Sequence, residues 1–422
     1  MEALVIDGGR PLVGTLDISG AKNAVLPILA ATVIRGGVYR LDNCPNITDV
    51  SLAIEIIKAL GGQVHRTGRH LQVDTSGLCR WDIPDALMDK MRASVLFLGA
   101  LLARFGKATM TMPGGCPLGR RPIDLHLEAL ARMGAEVTLQ ENRIDCQVSQ
   151  LHGCEIELPF PSVGATENVL LAATACRGTV ILRGAAKEPE IGDLIGFLQA
   201  MGAEIDGRDT DTLTICGAEP LADAEYTILP DRIETATYLC MVAGSGGSVT
   251  LRRTDGRLLL PVLETLEKAG CAVSTGDGEI LLAAPRRLRG VGTVETRPYP
   301  GFPTDAQALM MASLLRAQGQ SRFSEGVFAQ RFGHVSQLCR FGANIDLMGT
   351  TALVTGVDRL QEARVEGGDL RATAAMVCAA LQAVGKSTVF GLKHLDRGYD
   401  NLEEKLRLLG ANILRTEVSG VQ

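Results

Sequence analysis

The sequence predicts an α/β fold in which six copies of one unit divide into two sets of three. Three observations carry this. A Gly-Ala-type doublet recurs at Gly61-Gly62, Gly134-Ala135, Gly202-Ala203, Gly270-Cys271, Gly342-Ala343 and Gly410-Ala411, at intervals of about 70 residues, the signature of a repeat array. A strand-like stretch follows the doublets, as in Glu136–Leu139 and Asn344–Leu347. An apolar helix precedes each of them at a nearly constant distance.

Read in order, each unit opens with that apolar helix: Ala24–Val33, Ala93–Ala103, Ala165–Cys176, Glu234–Ala243, Ala306–Leu315 and Ala372–Ala383. These segments are apolar on every side, which predicts burial. A glycine then starts a strand, as in Val38–Leu41 or Thr179–Leu182. A second, amphipathic helix closes the unit at the doublet, clearest at Leu259–Ala269 and Leu402–Leu409. Its polar side predicts a surface position.

The 422 residues exceed what one core holds and suggest two or three domains. A net charge of -6 argues against nucleic acid as a partner. Eleven scattered cysteines without a C-x-x-C pair read as reduced, mostly buried thiols of a cytoplasmic protein. The N-terminus lacks a basic and apolar leader pattern, and the longest apolar run, Ala93–Ala103, is too short to span a bilayer. Histidine spacing suggests no metal site, and neither a phosphate-binding G-x-x-x-x-G-K-[ST] loop nor a dinucleotide fingerprint occurs. No cofactor is expected. The sequence names no protein partner.

The residues around the starts of the apolar helices are charged or polar: Lys22-Asn23, Arg92, Ser162-Val163-Gly164, Asp231-Arg232, Thr304-Asp305 and Asp369-Leu370-Arg371. Asp231, Thr304 and Asp369 suit N-caps. Lys22, Arg92, Arg232 and Arg371 oppose the helix dipole, which a bound anion or a set of salt bridges would relieve. The stretch from Gly106 to Gly134 is longer than its five counterparts. Its extra residues fall in Pro113–Pro122, a glycine-rich loop with Cys116, Arg120 and Arg121. Arginines beside a thiol favour thiolate, and a guanidinium fork suits phosphate or carboxylate. Asp305 suits a general base or a second cap. Asp396-Arg397 is another charged turn, open to reading as a local surface pair.

Taken together, the sequence resembles the enolpyruvyl transferases, from about Val5 to Leu414. The motifs are Ser19-Gly20-Ala21-Lys22-Asn23, Met91-Arg92-Ala93-Ser94, Pro113-Gly114-Gly115-Cys116, Arg121-Pro122-Ile123-Asp124-Leu125-His126, Ser162-Val163-Gly164, Glu188-Pro189-Glu190, Pro230-Asp231-Arg232, Phe302-Pro303-Thr304-Asp305, Asp369-Leu370-Arg371 and Asp396-Arg397-Gly398-Tyr399. The resemblance implies an inside-out α/β barrel in each of two domains, residues 1–21 with 230–422 and residues 22–229, and an active site in the cleft between them. It implies transfer of the enolpyruvyl group of phosphoenolpyruvate to the 3-hydroxyl of UDP-N-acetylglucosamine, releasing phosphate, as the first committed step of peptidoglycan synthesis.

Residue by residue, it implies that Lys22, Arg121 and Arg397 clamp phosphoenolpyruvate. Asn23, Arg92, Arg121, Pro122, Ile123, Asp124, Leu125, Ser162, Val163, Gly164, Asp305 and Val327 would contact the sugar nucleotide. Arg232 and Arg371 join the substrate-binding set. Asp305 would take the 3-hydroxyl proton, and Asp396 would assist proton transfer or hold Arg397. Cys116 would donate a proton to the methylene carbon, form an adduct with phosphoenolpyruvate and be alkylated by fosfomycin. Phe160, Gly326, Ala329 and Gln330 depart from the commoner pattern. A 3-phosphoshikimate-using transferase and a non-catalytic UDP-sugar-binding paralogue are the alternatives, with the Cys116 loop speaking against the first and the intact charged set against the second.

Overall fold

The computed structural model describes residues 1–88, 92–112, 123–217 and 221–418, with the side chains of Arg92 and Ala93 also outside the description. Contacts gather the described residues into two compact units. One comprises Met1–Ser19 and the chain from Pro230 onward; the other runs from Gly20 to Leu229. Each has its own apolar core.

All six doublet glycines have positive φ, between 83° at Gly342 and 106° at Gly202. Side chains with a Cβ rarely adopt that backbone, and glycine adopts it freely. In five of the six, the residue after the glycine also donates its N–H five residues back into the helix, as Ala135 does to the Leu130 carbonyl (3.1 Å) and Ala411 to Leu406 (3.0 Å). This is the Schellman ending, which satisfies carbonyls that the last helical turn leaves open. The repeat seen in the sequence is therefore a repeated helix stop.

The apolar helices form as Lys22–Ala31, Phe97–Phe105, Val163–Ala173, Arg232–Ser245, Thr304–Ser313 and Leu370–Gln382. A 3₁₀ turn, Arg92–Leu96, leads into the second. From Ala24 to Ala31 and from Ala306 to Ser313 every side chain is buried. Within each unit the three helices pack on one another, which explains their lack of a polar side. Five of the six begin about two residues before the apolar run does. Lys22, Arg232, Asp305 and Arg371 therefore lie in the first turns, while Asp231 and Asp369 stay just ahead as N-caps.

The repeat runs short strand, buried helix, strand, surface helix, hairpin. Gly292–Thr296 pairs in parallel with Gln320–Glu325 across the Thr304 helix, and the Asn344–Met348/Thr351–Thr355 hairpin adds antiparallel strands. Glu155–Glu157, Thr179–Arg183 and the hairpin of Glu204–Asp206 with Thr212–Cys216 repeat that order. Inner and outer residues alternate along these strands, as a sheet with one wet face requires.

Two strands are exchanged where the chain passes between units. Val13–Asp17 precedes the Lys22 helix yet pairs in parallel with Ser248–Arg252. Ala224–Thr227 precedes the Arg232 helix yet pairs in parallel with Val38–Asp42. The first strand, Glu2–Asp7, lies between Lys386–Phe390 and Asn412–Glu417, antiparallel to both. Among the described residues no helix is long and apolar enough to cross a membrane.

Candidate active site

The expected site residues fall into two sets, one in each unit. In the unit that holds Asp305, the Thr304–Ser313 helix starts on Pro303, whose side chain caps nothing. Thr304 was expected to cap it. Its hydroxyl instead donates to both oxygens of Glu325 (3.2 and 3.1 Å), because a buried carboxylate from the neighbouring strand is the stronger acceptor. Glu325 also accepts from the N–H groups of Val327 and Phe328 (2.9 and 3.0 Å). One carboxylate thus shapes the Val327 turn and ties it to the start of the helix. Gly326 fits there because a Cβ would sit 2.6 Å from the Thr296 carbonyl oxygen.

Asp305, 28% exposed, is gripped from both sides. Arg331 Nη2 donates to Oδ1 at 2.7 Å, and Arg371 Nη2 donates to Oδ2 at 3.0 Å. Both arginines are buried. Arg371 Nη1 donates to the Tyr399 hydroxyl (3.0 Å), leaving that O–H to donate to Thr237 Oγ1 (2.8 Å). Burial opposes the charge on Arg371, but Tyr399, Asp305 and Asp231 outweigh it and raise its pKa. Asp369 caps the Leu370 helix through the N–H groups of Arg371 and Ala372. Asp231 caps the Arg232 helix through Ile233 and Glu234. Arg232 lies 5.5 Å over the Tyr299 ring, within cation–π range.

The Asp396-Arg397 turn follows the Leu392–Leu395 helix. The Asp396 carboxylate faces a partner distant in sequence: Arg415 binds both of its oxygens, at 2.6 and 3.0 Å, and also reaches Glu403. A fork of this kind fixes the turn from which Arg397 projects.

In the other unit, Lys22 opens its helix with no side-chain cap. Its ammonium lies 2.8 Å from Asp49, a carboxylate that is almost fully buried. Asn23 follows it, half-buried. Ser162 accepts from the Ala165 N–H (3.4 Å) at the start of the Val163 helix. Val163 and Gly164 form its first turn. A Cβ on Gly164 would lie 2.8 Å from His126 Cε1, so only glycine lets that ring close on the helix. Burial depresses the His126 pKa to about 4. The neutral ring accepts at Nδ1 from Asn168 Nδ2 (2.8 Å). Ile123 precedes the Asp124–Arg132 helix, which starts with exposed Asp124 and half-buried Leu125. Burial, with Glu190 and Glu188 adding to it, pushes the Glu167 carboxyl well above its ordinary range.

The sequence places the cations at the helix starts and leaves a bound anion or salt bridges to relieve the dipole. In the structure carboxylates do this for two of them, Asp49 for Lys22 and Asp305 for Arg371. The sequence does not mark Asp49, Glu325 and Arg331, whose roles depend on contacts between distant segments. Cys116, Arg121 and Pro122 lie outside the described residues, as does the side chain of Arg92. Among the described residues no group of three His, Cys, Asp or Glu is placed to hold a metal.

Residues 6–406 match the model of the EPSP synthase family, 3-phosphoshikimate 1-carboxyvinyltransferase. The chain belongs to this carboxyvinyltransferase family. Within it, the chain is 46% identical over 418 residues to the UDP-N-acetylglucosamine 1-carboxyvinyltransferase of Dichelobacter nodosus, covering 99% of this chain and 100% of the relative. It is 44% identical to UDP-N-acetylglucosamine 1-carboxyvinyltransferase 2 of Caldanaerobacter subterraneus subsp. tengcongensis, covering 97% and 98%. The crystal structure of the enolpyruvyl transferase NikO from Streptomyces tendae superposes with a TM-score of 0.90 at 26% identity, over 99% of both chains. EPSP synthase from Acinetobacter baumannii gives 0.76 at 17% identity, a likeness of fold. The six-unit α/β architecture is thus that of the carboxyvinyltransferases.

Proposed function

We propose that this carboxyvinyltransferase moves the enolpyruvyl group of phosphoenolpyruvate to the 3-hydroxyl of UDP-N-acetylglucosamine, in the peptidoglycan pathway. The observation that carries the acceptor is the identity of 41–46% over nearly the whole chain to relatives named for that acceptor. The acceptor oxygen bonds to C2 of the enol and C3 gains a proton; loss of a C3 proton and breaking of the C2–O bond to phosphorus's oxygen then release phosphate. Lys22, Arg121 and Arg397 serve the anionic donor, since fixed cations stabilise charge that grows at the transition state. Asp305 receives the hydroxyl proton and Cys116 delivers one to C3. Asn23, Arg92, Arg121, Pro122, Ile123, Asp124, Leu125, Ser162, Val163, Gly164, Asp305 and Val327 contact the sugar nucleotide, Arg232 and Arg371 join the substrate-binding set, and Asp396 braces the Arg397 turn. The reaction draws on residues of both sets. Both substrates are charged metabolites of the cytoplasm, where the enzyme works with no cofactor.

The test is phosphate release from phosphoenolpyruvate with each of two acceptors. Turnover is expected with UDP-N-acetylglucosamine and not with shikimate 3-phosphate; the opposite preference would overturn the reading. A Cys116→Asp variant is expected to keep turnover and to resist fosfomycin, because a carboxyl donates protons but is a poor nucleophile. Continued inactivation of that variant would move the alkylated group elsewhere.

A further inference from the structure

We propose that the cleft between Arg286, Arg287 and Arg316, in the unit that holds Asp305, is a second anion site that takes a phosphate group. The proposal draws on no substrate and no residue role assigned above.

The buried helices of this unit end together at that cleft. Gly244, in the last turn of the Arg232 helix, packs on Ser313, the last residue of the Thr304 helix. A Cβ on Gly244 would lie 3.1 Å from Ser313 Cα and 2.7 Å from Nε2 of Gln382, which ends the Leu370 helix. Gly244, Leu288 and Ser313 line the cleft together with the three arginines. The 10 residues of the Thr304 helix set it about 15 Å from the end that carries Asp305, at 1.5 Å per residue.

Helix C-termini attract cations, so arginines have a structural use here. Arg287 fulfils it. Its Nε donates to the Arg316 carbonyl (2.8 Å), its Nη1 to Asp358 (2.9 Å) and its Nη2 to the Val357 carbonyl (3.4 Å). The other two do not. Arg316 is half-buried, and its Nε is buried without an acceptor among the described residues. Arg286 is exposed and likewise meets no acceptor among them. A buried donor left open is costly, and an oxyanion would remove that cost.

The other unit closes its helix ends from within. Thr32 and Thr174 donate to the Leu29 and Leu171 carbonyls (2.7 and 2.9 Å), and Arg104 donates to the Thr75 carbonyl (3.0 Å). Arg35 there faces Asp223 at 3.6 Å. At the arginine cleft Ser313 donates to the Met310 carbonyl (2.8 Å), but Ser245 Oγ and Gln382 Oε1 are buried without partners among the described residues.

Charge decides what the cleft takes. Two helix ends bring about half a negative charge each. Asp358 adds one more, but it is 93% exposed and screened by water. Three guanidinium groups outweigh these, and among the described residues no carboxylate lines the cleft. In a chain of net charge -6 this is a local positive excess. Open guanidinium N–H groups suit phosphate, whose oxygens a guanidinium meets two at a time. So few lining residues hold the phosphate itself and leave whatever it is attached to in solvent.

The experiment is equilibrium dialysis of radiolabelled inorganic phosphate against full-length wild type, Arg286→Ala and Arg316→Gln. Each variant is expected to weaken one class of phosphate binding by at least about tenfold, as loss of a charged contact does. That class should also weaken in wild type as salt rises. Turnover should stay within about twofold in kcat and both KM values, which sets the cleft apart from the candidate active site. Arg286 is exposed, so its variant carries the test if Arg316→Gln does not fold. The same proteins are floated with vesicles of phosphatidylglycerol or of phosphatidylcholine. Arginine-dependent dialysis binding without flotation makes the ligand a soluble phosphate. Arginine-dependent flotation on phosphatidylglycerol alone makes it a lipid headgroup. Phosphate binding and flotation unchanged in both variants would overturn the proposal. So would a loss of phosphate binding matched by an equal loss of kcat/KM, which would put the bound phosphate in the candidate active site.

Discussion

Asp305→Asn is expected to lower kcat by about a hundred- to ten-thousandfold, the contribution of a positioned general base. The substitution keeps the size of the side chain and one acceptor oxygen but removes the charge that Arg331 and Arg371 face at 2.7 and 3.0 Å. An amide cannot take up the hydroxyl proton. The substitution leaves the proposed donor-binding cations Lys22, Arg121 and Arg397 unchanged, so the donor site should survive. The measurement is steady-state phosphate release beside mass spectrometry of the phosphoenolpyruvate adduct on Cys116, a bond that does not need the acceptor. Adduct formation with turnover nearly abolished is the expected pair of results. A variant retaining more than about a tenth of kcat would remove Asp305 from the proton transfer. Two buried guanidinium groups lose their counter-ion in this variant, so some loss of stability should accompany the loss of rate.

The parts of the fold legible in the sequence were those set by neighbours in the chain. A helix stop is a local event, so the doublet glycines and the strands behind them could be read directly. Asp231 and Asp369 cap their helices for the same reason: the acceptor and the N–H groups it serves lie within three residues. Thr304 has the right residue type for a cap and fails because Glu325, on another strand, competes for its hydroxyl. The exchange of Val13–Asp17 with Ala224–Thr227 left no trace in the sequence. Each strand has the pattern of a half-buried strand whichever partner it finds.

The site followed the same division. Lys22 and Arg371 stood out because cations oppose a helix start. Their carboxylates, Asp49 and Asp305, are fixed by packing between segments far apart in sequence. Arg331 carried no signal at all, since a 3₁₀ turn imposes no spacing by which a functional arginine is set apart from a surface one. Asp396 illustrates the converse. Its neighbour Arg397 suggested a local pair, whereas Arg415, on the last strand, binds both of its oxygens.

Lys405→Met is expected to destabilise its unit by about 3–5 kcal/mol, the cost of leaving a buried charge without its partner. Lys405 Nζ lies 2.5 Å from Glu234 Oε1 and donates to Ser19 Oγ at 2.7 Å. The Ser19 N–H donates to the other oxygen of Glu234, also at 2.7 Å. All three groups are buried, and Ser19 is the last residue before the chain leaves this unit. Burial already raises the Glu234 pKa, with Lys405 opposing that rise. Without the ammonium the folded value must climb further above the unfolded one. For a carboxyl, that costs stability above the folded pKa and returns it as pH falls through that value. The penalty of Lys405→Met should therefore shrink on acidification, and a Glu234→Gln/Lys405→Met double variant should recover much of it at neutral pH. Trp81, the only tryptophan, lies in the other unit with its separate core. Urea unfolding followed by circular dichroism should shift to lower denaturant, while the Trp81 fluorescence transition moves less. A loss below about 1 kcal/mol, typical of exposed pairs, would mean that water reaches this triad.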